Sequence, residues 1–299
     1  MKRVVLIYNP QAGNGIFTAH LDKVIARFAD AGMLLIPIRL GGAFTLERVM
    51  TDPELSRCHK FIAAGGDGTV HLVVNEMVKH GVETPLAIFP AGTANDLASY
   101  LGVPSEIDGM VEVALSENYL KMDVGTANGR CFVNVLAIGM LVDISQRTDP
   151  TIKNTLGLGA YYLRGLAEVP FARASHIRII AGDKVIDGDS SAVIIMNGRQ
   201  AGGFHQIAPF SDIGDGLLDV VYFKKLILPV MLPVLLTVMA GQHPRDKRVE
   251  YFKAAQLRIE TDEQHPVNTD LDGERGDVLP LDVGVLPGRI LVNAPPDAE

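Results

Sequence analysis

The chain predicts an α/β N-terminal domain, a parallel sheet with helices on both faces, followed by a mainly-β C-terminal sandwich domain. Three observations lead there. Over the first 120 residues short apolar runs alternate with helix-period segments. After about residue 122 the runs become β-like and are separated by Gly, Asp and Asn. Three Gly-bearing turns also follow three of the early apolar runs, where strands of a parallel sheet hand over to helices. The domains are set at residues 1–122 and 123–287.

In order, "RVVLIY" is the first strand: its apolar run is short and ends in Asn-Pro, which does not suit a secretory signal. "FTAHLDKVIARFADAG" follows as one helix, with Phe17, Leu21, Val24, Ile25 and Phe28 on a single face and Gly32 as its stop. "LLIPIRL" is a strand, "FTLERVM" a helix and "FIAAGG" a strand. Val70, Val73, Val74, Met77 and Val78 then form the stripe of a helix ending at Gly81. "PLAIFP" is the next strand, and "AGTANDLASYLG" a Gly-rich turn into a helix. The later runs "CFVNVLAIGM", "SHIRIIAGDKVIDGD", "SAVIIMNG", "GLLDVVYFKK" and "AAQLRIET" read as strands, interrupted by helical patterns near 153 to 168 and 226 to 240. The second pattern, "LILPVMLPVLLTVMAG", is shorter than the roughly 20 residues that cross a bilayer and contains Pro229 and Pro233. It therefore does not span; it reads as a buried helix, with a membrane-surface helix as the alternative.

Composition excludes several classes. An apolar fraction of 47% over 299 residues supports sizeable cores. A formal charge of −8 argues against nucleic acid as partner. Cys58 and Cys131 stand alone without ligand-spaced histidines, which speaks for a reducing cytoplasm and against a zinc site. Lys153, Arg164 and Arg173 read as solvated.

The chemistry concentrates in the turns "NPQAGNG", "GGDGT" and "PAGTAND". Glycine lets backbone N–H groups approach an anion, and each following helix adds its positive N-terminal end. Thr69 and Thr93 can donate hydroxyl hydrogen bonds to phosphate, whereas Asp67 and Asp96 repel it and so imply a cation, for which Mg²⁺ is suited. No P-loop, dinucleotide fingerprint or protein-kinase loop is present. Near the end, "DLDGERGD" read alone is a solvated acidic turn, and "SDIGDGLLDV" a hairpin turn.

Taken together, "NPQAGNG", "GGDGTVHLVVN", "FPAGTANDLA", "MNGRQAGGFHQIAP", "DIGDGLLDV" and "DLDGE" resemble the diacylglycerol kinase catalytic-domain family, in particular its bacterial soluble lipid-kinase branch. The resemblance runs from about residue 4 to about 290. It implies a two-domain architecture shared with NAD kinases, in which residues 288–299 return to complete the first domain. It implies ATP contacts at Asn9, Pro10, Gln11, Ala12 and Gly13, at Gly65, Gly66, Asp67, Gly68, Thr69, Val70 and His71, and at Thr93. Asp67 and Asp96 would join a water-linked Mg²⁺ network.

A structural Mg²⁺ would be held by the Asp215 side chain and the carbonyls of Asp212 and Leu217. Asp272 or Glu274 would accept the proton of a lipid hydroxyl in a cleft between the domains, with Gly273 allowing close approach. The implied protein is a cytoplasmic lipid kinase of phospholipid biosynthesis, peripheral to the membrane, whose substrate is a diacylglycerol-like or phosphatidylglycerol-like lipid. An exposed β edge in its second domain can pair two copies. An NAD kinase and a nucleotide- or lipid-binding protein without turnover are the alternatives. Two departures stand out: Leu72 where relatives often have Glu, with Glu76 where they have Gly, and Arg39 and Leu40 where a further threonine of the ATP pocket would lie.

Overall fold

The computed structural model describes residues 1–140, 142, 174–202 and 204–296. The helical pattern expected over 153 to 168 lies outside them, as do Lys153, Arg164 and Arg173. Two compact units divide the chain. One comprises Met1–Val124, Ile213–Asp215 and Leu286–Glu299; the other comprises Gly125–Asp212 and Gly216–Val285.

In the first unit the parallel strands β1 (Lys2–Tyr8), β2 (Met33–Arg39), β3 (Lys60–Gly65) and β4 (Leu86–Pro90) lie in the order β4-β3-β1-β2. The chain's final strand, Leu281–Asn293, joins β4 in parallel through Val292 and Leu86. From β1 the chain first moves to β2 on one side and then returns to place β3 on the other. The strand order therefore reverses between β1 and β3, the point outside which open α/β sheets bind ligands.

Helices α1 (Ile16–Ala19), α2 (Leu21–Asp30), α3 (Leu46–Thr51), α4 (Pro53–Ser56), α5 (Asp67–Lys79), α6 (Asp96–Tyr100) and α7 (Ile107–Leu115) connect these strands. Phe17, Val24 and Phe28 together with Met110, Val111 and Ala114 bury against Val4, Leu6, Ile62 and Phe89. Val5, Ile7, Phe61 and Ala63 point to the opposite face by strand alternation and are also fully buried, so both faces are covered. On α5 the side chains of Val70, Val73, Val74 and Met77 are buried, and Gly81 follows the helix at φ +67°.

One expectation fails in detail. The single helix expected from Phe17 to the stop at Gly32 is two, because His20 leaves helical geometry at ψ 1°. The stripe restarts there, so Val24 and Phe28 face inward while Ile25 is 37% exposed.

At the end of β3 remote from its glycines, Lys60 is 1% exposed. Its Nζ donates to the Ala114 and Ser116 carbonyls at 2.6 and 2.9 Å, capping the C-terminus of α7, and lies 5.0 Å from the Tyr119 ring centroid. Burial lowers this ammonium to about 8 from its ordinary 10.5.

The second unit is antiparallel. Its strands are the latter part of β5 (Tyr119–Ala127), β6 (Arg130–Phe132), β7 (Val135–Gly139), β8 (Ser175–Ala181), β9 (Lys184–Met196), β10 (Leu218–Lys224), β11 (Val249–Ala254), β12 (Gln256–Glu260), β13 (Thr269–Leu271), β14 (Glu274–Arg275) and the first part of the final strand, β15. Strand β9 is a single 13-residue strand covering two of the expected runs, and it pairs with β7, β8 and β10. Alternating residues such as Leu136, Ile138, Val193, Ile195, Leu218 and Val220 fill one core.

The opposite face of β9 and β10, with Ile194, Met196, Val221 and Phe223, is covered by helix α8 (Leu228–Met239) through Val234 and Val238. The expectation of a buried helix there is corrected: Leu232, Leu236 and Met239, on its outer side, are about half exposed.

Because the unfolded chain holds the Lys60 proton up to pH 10.5 and the folded chain only to about 8, stability rises with pH across that window. Lys60→Met should flatten this rise, on the order of 3 kcal/mol in full, in denaturant titrations run from pH 7.5 to 10.5. A slope that persists in the variant would show that another group carries it.

Candidate functional site

Three turns meet at the carboxyl ends of β1, β3 and β4. After β1, Asn9 N–H donates to the Ala64 carbonyl at 2.9 Å, which ties the turn to β3. The Asn9 side chain accepts from Gln11 N–H at 3.0 Å and donates to Thr69 Oγ1 at 3.5 Å, reaching the first turn of α5. Gly13 stands at φ +54°, and a Cβ there would run into the Ala91 carbonyl.

The second and third turns abut even more closely. A Cβ on Gly66 would lie 3.1 Å from Gly92 Cα, and one on Gly92 would lie 2.8 Å from Asn95 Oδ1 and collide with Gly66. Ala91 N–H donates to the Gly65 carbonyl at 2.9 Å. Asn95, in the left-handed region at φ 52°, folds back: its side chain accepts from Gly92 N–H at 2.8 Å and donates to the Gly92 carbonyl at 2.9 Å. The result is a continuous backbone surface at the β1/β3 switch point. Beside it lies the N-terminus of the 13-residue α5, whose first N–H groups have no helical acceptor.

Asp67 opens α5, and its carboxylate accepts from Leu97 N–H at 3.5 Å at the start of α6. Burial first, and then the neighbouring Asp96 carboxylate, raise Asp67 to about 6. Asp96 is itself buried. Two carboxylates repelling one another beside glycine turns suit a hard cation with oxygen ligands, and the turns suit phosphate.

The other expected contacts divide by burial. Pro10, Ala12 and Gly66 are half-buried, and Gln11, Gly68 and Thr93 are exposed. Thr69, Val70 and His71 are buried, so Val70 and His71 offer only backbone to a ligand in front of the helix. Leu72 is 42% exposed, and Glu76 is engaged within its own helix region by Lys79 and His80 at 3.3 and 3.2 Å. Arg39 is exposed, and Leu40 N–H donates to the Tyr8 carbonyl at 2.9 Å.

In the second unit "DLDGE" forms a hairpin rather than an irregular acidic turn. Leu271 pairs with Glu274, and the two residues between them, Asp272 and Gly273, both stand at positive φ, as a two-residue primed turn requires. The Asp272 carboxylate accepts three backbone N–H groups, from Val133 at 2.5 Å, Asn134 at 2.9 Å and Val135 at 2.8 Å. Glu274 is exposed on β14.

Asp212 and Asp215 are also exposed, in the loop before β10. Among the described residues no group of three or more His, Cys, Asp or Glu side chains is arranged to hold a metal. A cation at that loop would take one carboxylate and backbone carbonyls, an oxygen set that a hard cation accepts.

A family model, "Diacylglycerol kinase catalytic domain", matches residues 3–127. Another, "YegS C-terminal NAD kinase beta sandwich-like domain", matches residues 134–294. The chain is 32% identical over 281 residues to a diacylglycerol kinase of Bacillus subtilis (strain 168), covering 94% of this chain and 92% of the relative. The chain belongs to the diacylglycerol kinase catalytic-domain family.

A diacylglycerol kinase of Staphylococcus carnosus is 29% identical over 303 residues, covering 100% and 97% of the two chains. A solved structure of a candidate diacylglycerol kinase from Bacillus anthracis strain Sterne superimposes with a TM-score of 0.85 at 28% identity, covering 100% of this chain and 97% of that one. As a member of this family the protein is a lipid kinase, with the α/β plus β-rich two-domain architecture of its structural relatives. Among the described residues no helix is long and apolar enough to cross a membrane.

Sequence reasoning did not single out Asn95, although an Asn beside a Gly turn is the common non-glycine choice for left-handed backbone. It had no signal for the hold of Asp272 on residues 133 to 135, which lie far away in sequence.

Two outcomes follow. Gly92→Ala must push two backbone turns apart, costing about 1 to 3 kcal/mol in thermal unfolding and abolishing binding of a fluorescent ATP analogue. Asp67 binds its proton more tightly folded than unfolded, so its stability contribution falls as pH rises from 3.8 to about 6, and the penalty is complete above that. Without divalent cations at pH 7.5, Asp67→Asn should therefore be more stable than the native chain by about 2 to 3 kcal/mol. Added Mg²⁺ should raise the native midpoint and leave that of the variant unchanged, as calorimetry can check.

Proposed function

We propose that this lipid kinase transfers the γ-phosphoryl group of ATP, with Mg²⁺, to the hydroxyl of a diacylglycerol-like or phosphatidylglycerol-like membrane lipid. The observation that carries the reading is the meeting of three glycine turns with the Asp67–Asp96 pair at one sheet edge. Asn9 to Gly13 and Gly65 to Thr69 cradle the nucleotide phosphates through backbone N–H groups, Val70 and His71 contribute backbone alone, and Thr93 adds its hydroxyl. Asp67 and Asp96 would hold Mg²⁺, which would supply charge neutralisation at the phosphates. Asp215, with the carbonyls of Asp212 and Leu217, would hold a second, structural ion.

Transfer to an alcohol also needs a group that takes the hydroxyl proton. Both Asp272 oxygens already serve the 133–135 backbone, and swinging the carboxylate away would break three hydrogen bonds. Glu274, two residues on and exposed, is therefore assigned as proton acceptor, and Asp272 as the residue that fixes the hairpin presenting it. The nucleotide turns belong to the first unit and this hairpin to the second.

The test is a panel of diacylglycerol, phosphatidylglycerol, a sphingoid base and NAD, each incubated with labelled ATP and separated by chromatography. A labelled lipid with unlabelled NAD supports the reading; labelled NAD alone overturns it in favour of an NAD kinase. Glu274→Gln should lower kcat by about 100-fold or more at unchanged unfolding midpoint. Asp272→Asn should lose about 2 kcal/mol of stability together with activity. The reverse pattern would exchange the two roles.

A further inference from the structure

Residues 226 to 241, "LILPVMLPVLLTVMAG", contain no charged side chain. Helix α8 within them buries Met231, and packs Val234 and Val238 against the second unit's sheet. Its outer side carries Leu232, Leu236 and Met239 at 48, 57 and 55% exposure, with Ile227 at 62% just before the helix. The spacing of four and three residues sets Leu232, Leu236 and Met239 in one row along the helix. An exposed apolar row of this kind marks an interaction site rather than scatter.

The surroundings say what the row meets. The chain leaves the sheet at Lys224 and returns at Arg248, and these ends adjoin: Lys224 N–H donates to the Arg248 carbonyl at 2.9 Å, and Lys224 Nζ to the Lys247 carbonyl at 3.1 Å. Between residues 224 and 248 stand five Lys and Arg and one Asp, in a protein of formal charge −8. Lys224 pairs with Glu250, Lys225 with Asp189 and Arg248 with Asp246. Arg245 and Lys247 are exposed and have no ion pair among the described residues.

We infer that helix α8 is a membrane-docking element: its outer row enters the headgroup region of an anionic bilayer while the flanking basic residues meet the lipid phosphates. A second copy of the chain fits less well, because a two-fold contact through this row would bring two basic flanks together. Three side chains on a 12-residue helix, with Ile227 just before it, also fall short of the roughly 800 Å² per partner of a stable interface. They do suit reversible surface binding, in which apolar insertion and attraction to anionic lipid act together. The choice of a bilayer as partner rests on the proposed lipid acceptor.

The experiment is vesicle sedimentation of the full chain without ATP, so its result stands whichever substrate is phosphorylated. The vesicles are pure phosphatidylcholine, or phosphatidylcholine with about one-third phosphatidylglycerol. Native protein should bind the anionic vesicles, less at high salt. The double variant Leu232→Gln with Leu236→Gln should lose about tenfold or more in binding, and so should Arg245→Glu with Lys247→Glu. Turnover on a short-chain water-soluble acceptor and the unfolding midpoint should stay as in the native protein.

The chain has no tryptophan, so Leu236→Trp gives a clean reporter whose emission should shift to the blue on those vesicles. Unchanged vesicle binding by the glutamine variant, an unmoved emission from the tryptophan reporter, or a native dimer that the glutamine variant splits would each overturn the inference. Vesicle binding without turnover on any lipid would count against the proposed function alone.

Discussion

The first unit depends on the distance between two backbones. Gly66 and Gly92 approach so closely that Gly92 cannot carry a Cβ and Gly66 could do so only if its neighbour gave way, and Gly13 meets the Ala91 carbonyl as closely as Gly92 meets Gly66. The parallel register of β1, β3 and β4 brings three strand ends to one edge, and only turns without side chains can share that space. What the missing side chains leave is an uninterrupted run of peptide groups at the switch point. Asn9 and Asn95 brace it by hydrogen bonding across and within the turns, so the surface is set before any ligand arrives.

Two aspartates show how surroundings divide one residue type between roles. Asp67 is buried with the like charge of Asp96 beside it, and the backbone N–H groups around it offset only part of that, so its carboxyl stands raised to about 6. Asp272 sits among three N–H donors and closes a hairpin onto a distant loop.

Legibility in the sequence followed how local each cause was. The helix stripe of Val70, Val73, Val74 and Met77 and the stop at Gly81 were readable because period and left-handed glycine are local properties. The break at His20 was not, since nothing in residues 17 to 31 interrupts the apolar spacing, and Ile25 was consequently placed inside. Helix α8 read as buried because an all-apolar segment has no polar face to mark its outside; only the sheet beneath it decides which side is covered. The Asp-Gly of "DLDGE" carried a hairpin signal, masked by its acidic company. Joining Ile213–Asp215 to the first unit, through the Asp123 N–H to Ile213 carbonyl bond at 2.8 Å, had no sequence mark at all. The three glycine turns at one sheet edge were legible as a pattern, whereas the burial of the Val70 and His71 side chains was not.

The final strand has a consequence for how the chain is made. Residues 286 to 293 close the first unit's sheet beside β4, held by Arg289 to the Val82 and Met77 carbonyls at 3.2 and 3.3 Å and by Asn293 to the Ser116 and Asn118 carbonyls at 3.1 Å. During synthesis that unit is translated first but finished last, because its closing strand emerges only after the whole second unit. Until then the edge of β4 stays open on the ribosome, a pairing surface for any other strand nearby. Translation order thus makes completion of the glycine turns' own sheet a checkpoint for the entire polypeptide, passed only when the last strand has been delivered.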